Sequence, residues 1–343
     1  MEIITRQLSK DKKRQKAYTL WLENCLTEGA TLGDIVQMGY RLMRKARLHH
    51  HFFNNGSLFK TAEYLANHAL QCRLPEAVRL DNHYRLNEQE AICIIQLFEK
   101  RIAEKLPVPY ITNTGEYCGR QFFVNKHVLV PRSIMSNRFQ DFLDNIEWKN
   151  HRILDLCTGS GCIGITLALM SKNVRVDLSD ISQEALAVAQ LNIKRHGLED
   201  RVQCIHSNLF EQITGPYDLI ITNPPYVSTK EYQQVPAEFK HEPKIALESG
   251  KDGLDIINKI LAQAKQYLNS NGVLIAEVGY TAAKTLKRKY PQVNFQWLTY
   301  RRPDGTEAWL AMDGIFLCKK TDLPDPDALK NATTRSIFAR LFT

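Results

Sequence analysis

Along the first 112 residues, apolar positions recur at spacings of three and four, the period of an amphipathic helix. Ala17, Leu20, Trp21, Asn24, Cys25 and Leu26 fall near one face, as do Ile35, Met38, Leu42 and Met43. Glu90, Ala91, Ile92, Ile94, Ile95, Leu97, Phe98 and Ile102 predict the clearest helix, with Asn87 as N-cap and Pro107 beyond its end. The pattern changes at Thr114. Gly115, Tyr117, Gly119, Phe122, Phe123 and Val124, then Val128-Leu129-Val130, predict a β-hairpin whose second strand stops at Pro131-Arg132. A helical pattern resumes over Phe139 to Ile146, and the hairpin is read as the hinge between two domains.

From His151 to about Lys319, short β-branched runs alternate with helical ones. Strands are predicted at Arg152 to Leu156, Val174 to Leu178, Val202 to Ile205, Tyr217 to Thr222, Val273 to Val278, Phe295 to Leu298 and Ile315 to Cys318. Between them, one helix runs from Ile163 to Met170. A second is capped by Ser182, buries Ala185, Leu186, Ala189 and Ile193, and ends at Gly197. A third carries Leu254, Ile257, Leu261, Ala264 and Leu268, followed by a turn at Asn271-Gly272. Such alternation predicts a doubly wound α/β domain. The predicted organisation is a helical domain over 1–112, a hairpin and connecting helix over 113–145, the α/β domain over 146–320, and a tail over 321–343 that orders on a partner.

At 343 residues and 44% hydrophobic, the chain can bury the cores of two domains. It has no run of about 18 apolar residues that would span a membrane as a helix. The basic run Lys10 to Lys16 leads into Glu23 and Asn24 without a small-residue cleavage site, so no secretory signal is expected and the chain is placed in the cytoplasm. Its eight cysteines (25, 72, 93, 118, 157, 162, 204, 318) form no Cys-x-x-Cys pair and are expected to be buried thiols in a reducing compartment. A net charge of +8 favours an acidic partner or one coated in nucleic acid, although solvated surface explains it equally. Arg41, Arg44, Lys45, Arg47 and His49-His50-His51 are the candidate patch for weak RNA contact, or simply a solvated helix end. Three adjacent histidines cannot all face one ion, so no metal is assigned.

Two stretches bear chemistry. Asn223-Pro224-Pro225-Tyr226 follows a buried strand that the prolines must stop, so it sits at the carboxyl edge where open α/β sheets bind ligands. There the Asn223 Oδ1 and the Pro224 carbonyl can each accept one N–H of a planar NH₂, while the Tyr226 ring stacks on its face. Such a set suits an amide or an exocyclic amine; a plain Pro-Pro turn is the alternative. The second stretch, Asp155-Leu156-Cys157-Thr158-Gly159-Ser160-Gly161-Cys162, lies between the first strand and first helix, where glycines let a ligand approach the backbone. Asp180, past the second strand, can accept both hydroxyls of a ribose, or can serve as a helix-start carboxylate. A dinucleotide fits the glycine loop but leaves the NH₂ clamp unexplained; S-adenosylmethionine beside that clamp accounts for both.

On those two motifs, the stretch from about Pro109 to Leu317 resembles the HemK/Prm family of glutamine-amide methyltransferases. Cys157 and Cys162 in the loop, Leu129-Val130-Pro131-Arg132-Ser133, His241-Glu242-Pro243 and Asp252-Gly253-Leu254-Asp255 are most similar to members acting on the third protein of the large ribosomal subunit. The resemblance implies a seven-stranded class I (Rossmann-like) methyltransferase sheet behind a helical substrate-recognition domain. It implies S-adenosylmethionine on Asp155, Thr158, Gly159, Ser160, Gly161, Asp180, Asn208 and Leu209, and the glutamine on Asn223, Pro224, Pro225 and Tyr226. It makes Asn223, Pro224 and Tyr226 the expected catalytic set. Asn208 replaces an expected aspartate near the adenine, Arg301 to Trp309 is a longer insertion than expected, and Ala311-Met312 stands where glycines are usual. His241 and Glu242 are read as loop-structuring rather than proton acceptors, and Glu277 either lines the pocket or caps a strand. Competing readings are a release-factor glutamine methyltransferase, a nucleic-acid amino-methyltransferase and a non-catalytic ribosome-assembly factor.

Overall fold

The computed structural model describes residues 10–48, 57–71, 81–138, 151–298, 300–301, 307–308 and 313–324. The predicted helix over Phe139 to Ile146, His49-His50-His51, Ala311-Met312 and the tail beyond Pro324 lie outside the described residues. The chain divides into two compact units, one of residues 1–113 with 236–241, the other of 114–235 with 242–343.

The first unit contains α1 (Lys12–Glu28), α2 (Leu32–Lys45), α3 (Leu58–Gln71), α4 (Glu88–Ala103) and α5 (Val108–Thr112). Each long helix starts where a short oxygen-bearing side chain can take an orphan N–H. Asp11 caps α1, and capping boxes pair Thr31 with Asp34 and Asn87 with Glu90. The core brings together Tyr18, Leu22, Ile35, Met43, Leu65 and Phe98, with Gly39 so close beneath the Phe98 ring that a Cβ would overlap it. The α1 face differs from the predicted one: Tyr18 and Leu22 are buried, whereas Leu20 is 58% exposed. Tyr18 takes the central place because its hydroxyl donates to Glu99 Oε2 at 2.8 Å, leaving the ring free to bury. A short 3₁₀ turn, Ala237–His241, joins this unit through Glu238, which faces Arg101 at 3.4 Å, and through the His241 ring, 2.7 Å from the Glu104 carbonyl.

The second unit opens with a hairpin of β1 (Thr114–Tyr117) and β2 (Arg120–Phe123). Val128-Leu129-Val130 is not its second strand. The chain reverses earlier, at Cys118-Gly119, and the Val130 N–H goes to the Glu242 carboxylate instead of a ladder. The main sheet contains β3 (Arg152–Leu156), β4 (Arg175–Asp180), β5 (Val202–His206), β6 (Tyr217–Thr222), β7 (Leu268–Gly279), β8 (Gln296–Leu298) and β11 (Asp313–Lys319), in the order β5-β4-β3-β6-β7-β11-β8. The first five strands in that order are parallel, and β11 runs antiparallel to β7 and β8. At the insertion, β9 (Tyr300–Arg301) and β10 (Glu307–Ala308) pair antiparallel. Asn271-Gly272 lies inside β7, where the register against β6 slips from Tyr217↔Leu268 to Leu219↔Val273; the turn signal is spent on a bulge.

Helices α6 (Cys162–Met170), α7 (Gln183–Arg195), α8 (Thr229–Gln234), α9 (Asp255–Gln263) and α10 (Tyr280–Lys289) complete the unit. Alternation along the strands feeds two apolar layers. Ile153, Ile221 and Ile275 join one with Ile165 and Ile193, while Leu154, Ile220 and Leu274 join the other with Leu261 and Phe316. From β3 the chain proceeds to β4 and β5 on one side and returns to β6 and β7 on the other, so the loops after β3 and β6 diverge and leave a crevice at the carboxyl edge.

Candidate active site

The loop after β3 is held from beneath. Asp155 is fully buried; its Oδ2 accepts the Thr158 hydroxyl at 2.6 Å and the Gly164 N–H at 2.9 Å, while Oδ1 has no partner among the described residues. Burial pushes this carboxyl up to about 7. Three residues of the loop adopt positive φ: Cys157 at 60°, Gly159 at 56° and Gly161 at 81°. The glycines do different work. A Cβ on Gly159 would meet nothing within 4 Å, so that residue opens onto the crevice. One on Gly161 would stand 2.9 Å from Ile165 and 3.1 Å from Leu178, so that residue lets α6 pack on β4. Gly164 continues that close approach against Leu178 and Val176.

Asp180 ends β4 and binds the loop directly. Its Oδ2 accepts the Gly159 N–H and its Oδ1 the Ser182 N–H, both at 2.9 Å, leaving each oxygen a lone pair for a ligand. Burial raises its pKa, against the opposing pull of the Ser182 and Gly159 N–H groups. Ser182 in turn caps α7 by accepting the Ala185 N–H, as predicted. Asn208 is exposed with its amide donating to Glu211 at 2.7 Å, and Leu209 beside it has φ of 52°.

Across the crevice, the Thr222 hydroxyl donates to the Leu156 carbonyl at 2.6 Å and locks the ends of β6 and β3 together. The prolines then end the strand. Asn223 is half-buried, Pro224 is buried, and the Tyr226 hydroxyl donates to Glu277 at 3.3 Å. Val227 exchanges hydrogen bonds with Leu247 and Ser249, tying the turn to the segment that ends in Asp252-Gly253. Gly253, at φ 76°, lies against the Tyr226 carbonyl, where a Cβ would collide.

One cleft collects Thr158, Gly159, Ser160, Asp180, Asn208, Leu209, Asn223 and Pro225, with residues 127–133 as a wall and Ile181 and Ile245 among its apolar surface. Its lining does not include Asp155, Gly161, Pro224 or Tyr226, the last two being the chain neighbours of the lining residues Asn223 and Pro225. His241 and Glu242 do not line it either. Glu242 is buried and accepts the Val130 N–H at 3.0 Å and Arg132 Nη1 at 2.7 Å, a loop-structuring role. Burial pushes the Cys162 thiol up to about 12, those of Cys118 and Cys204 up to about 11, and Cys157 higher, so none is a thiolate at neutral pH. Cys162 and Cys318 are buried as expected; Cys93, Cys118, Cys157 and Cys204 are half-buried.

Sequence reasoning missed Asn192. Fully buried on α7, it donates to the Ser160 and Phe123 carbonyls at 2.8 and 3.0 Å and accepts the Phe123 N–H at 2.7 Å, joining glycine loop and hairpin. The available signal was an amide on the apolar face that carries Ala185, Ala189 and Ile193.

A family model described as the methyltransferase small domain matches residues 136–251. Over 284 residues the chain is 38% identical to the ribosomal protein uL3 glutamine methyltransferase of Neisseria gonorrhoeae strain ATCC 700825 / FA 1090, covering 81% of this chain and 93% of that one. The protein of the same name from Neisseria meningitidis serogroup B is also 38% identical, with 92% of its length covered. Among solved structures, a methyltransferase from Pyrococcus furiosus superposes with a TM-score of 0.41 at 17% identity, over 58% of this chain and 88% of that one.

Proposed function

The chain belongs to the ribosomal protein uL3 glutamine methyltransferase family, and from that premise we propose that it transfers the methyl group of S-adenosylmethionine to a glutamine side-chain amide of ribosomal protein uL3. The observation that carries this reading is the shared cleft: Asn223, after β6, opens into the same space as the Thr158-Gly159-Ser160 turn and the Asp180 carboxylate. The residues suit the cofactor on their own chemistry. Gly159 leaves its Cβ side open, Asp180 keeps an acceptor on each oxygen for the ribose hydroxyls, and Ile181 and Leu209 offer apolar surface to the base. Asn208, bonded to Glu211, stands at that end without the charge of an aspartate.

When bound, S-adenosylmethionine supplies an electrophilic sulfonium methyl. The chain's own task is to present the nitrogen. An amide lone pair is delocalised into its carbonyl, so the nitrogen is a poor nucleophile and alignment must do most of the work. Asn223 Oδ1 and the Pro224 carbonyl accept the two amide N–H groups, bonds that strengthen as positive charge grows on nitrogen during in-line attack. The Tyr226 ring fixes the amide plane. No base is required beforehand, because the alkylated amide is strongly acidic and sheds its proton afterwards.

Incubation with methyl-labelled S-adenosylmethionine and, separately, uL3, release factors and ribosomal RNA tests the proposal. Label on a glutamine of uL3 is the expected result. Label on a release factor or on a base amine of RNA moves the substrate to another class, and no label anywhere leaves a docking role. In the same assay, Asn223→Ala is expected to lower turnover by about 10²-fold or more; near-wild-type turnover counts against the clamp.

A further inference from the structure

Behind the Asn223-to-Tyr226 turn, Glu277 sits near the end of β7 with 2% exposure. A carboxylate enclosed to this degree is held by its donors. Its Oε1 accepts the Tyr226 hydroxyl at 3.3 Å and its Oε2 the Ser133 hydroxyl at 2.5 Å. The Tyr226 ring also rests on the same strand two residues on, where a Cβ added to Gly279 would stand 3.0 Å from Cδ2 and 3.3 Å from Cε2. Strand β7 therefore fixes the ring at two points, its edge by contact and its hydroxyl by hydrogen bond. Ser133 belongs to the cleft wall, and that wall is gripped by two buried carboxylates, Glu242 at Val130 and Arg132, Glu277 at Ser133.

We propose that Glu277 is a positioning residue for methyl transfer: acting through the Tyr226 hydroxyl, it holds the ring that aligns the substrate amide and ties that ring to the Ser133 wall of the cleft. The proposal rests on the glutamine-methylation reading above. Glu277 reaches neither substrate nor donor. Its leverage is angular, because the plane of the ring sets the direction of the nitrogen lone pair and a reacting atom displaced by about 1 Å loses up to about 10²-fold in rate. Glutamine at this position keeps the shape but turns one acceptor into a donor, so one of the two hydroxyls must point its hydrogen elsewhere.

The test is a double-mutant cycle in the full chain, with kcat and KM measured on uL3 for Glu277→Gln, Tyr226→Phe and both together, alongside melting temperature. Glu277→Gln is expected to lower kcat by about 10-fold or more while the KM for S-adenosylmethionine holds. The double variant is expected to be no slower than Tyr226→Phe alone, since the hydroxyl through which Glu277 acts is already gone. A purely structural glutamate would instead lower melting temperature and leave the kcat of the folded fraction unchanged. Rate losses that multiply, or an unchanged kcat in folded Glu277→Gln, overturn the proposal. If Glu277→Gln does not fold, Glu277→Asp, which keeps the charge but draws the carboxylate one methylene back from the Tyr226 hydroxyl, replaces it in the cycle with the same expectations. A wild-type chain inactive on uL3 overturns the glutamine reading and this proposal together, whereas an active wild type with unmoved or multiplicative variants overturns this proposal alone.

Discussion

Asp155 binds two donors through one oxygen while the other has no partner among the described residues, an arrangement suited to a carboxyl close to its protonated state. Burial lifts its pKa from 3.8 to about 7, so between those values the folded chain holds a proton that the unfolded chain has released. The stability this group lends is complete below the unfolded value and is lost as pH rises toward the folded one, by up to about 4 kcal/mol at 1.36 kcal/mol per unit. Asp155→Asn keeps an acceptor for Thr158 and Gly164 and cannot ionise. Urea unfolding of this variant at pH values from 4 to 7 is expected to lose that fall in stability; a pH slope equal to the wild type's would refute the assignment. Residue identity alone did not separate this acid from Asp180. Both lie at the carboxyl end of a strand, and only the direction of the side chain puts one under the glycine loop and the other in the lining of the cleft. Gly159, Asp180 and Asn223 could be singled out because a glycine loop and strand ends place them at the carboxyl edge of the sheet, and all three line the same cleft there.

Among elements, those built on local signals read well. Asn87 with Glu90, Ser182 with Gly197, and Tyr217 to Thr222 ended by two prolines fall where a cap, a left-handed residue or a missing N–H dictates. Elements whose ends depend on a distant partner were misread. Val128 to Val130 has strand-like residues but gives an N–H to Glu242, and Asn271-Gly272 is a bulge because β6 continues alongside. The hairpin, α7 and the glycine loop are joined by Asn192, so Asn192→Ala leaves the Phe123 N–H without its acceptor and two carbonyls without their donor. A loss of about 1–3 kcal/mol in unfolding free energy is expected, with weaker binding of S-adenosylmethionine by calorimetry; wild-type values for both would show the junction to be dispensable.

On the scale of the molecule, the chain does not divide at a single point. Residues 236–241 return to the N-terminal unit, and there Glu238 meets Arg101 with both side chains nearly enclosed, 8% and 6% exposed. Removing the cation from such a pair costs about 3–5 kcal/mol. Hydrogen exchange of Arg101→Ala is expected to quicken in α4 and in Ala237–His241 while the β3, β6 and β7 amides keep their protection; uniform quickening, or none, would contradict the division. By itself, the sequence determined the seven strands of the main sheet and three of the helices between them, the Asn87 and Ser182 caps, the left-handed Gly197 and the two motifs, because periodicity, proline, glycine and short polar side chains act within a few residues. Tertiary structure alone decided which acid lies under the glycine loop and which lines the cleft, where Val130 and Asn192 send their hydrogen bonds, and which unit receives residues 236–241. Those outcomes join groups dozens to more than a hundred positions apart, and burial, which chooses among them, exists only once the whole chain has closed around them.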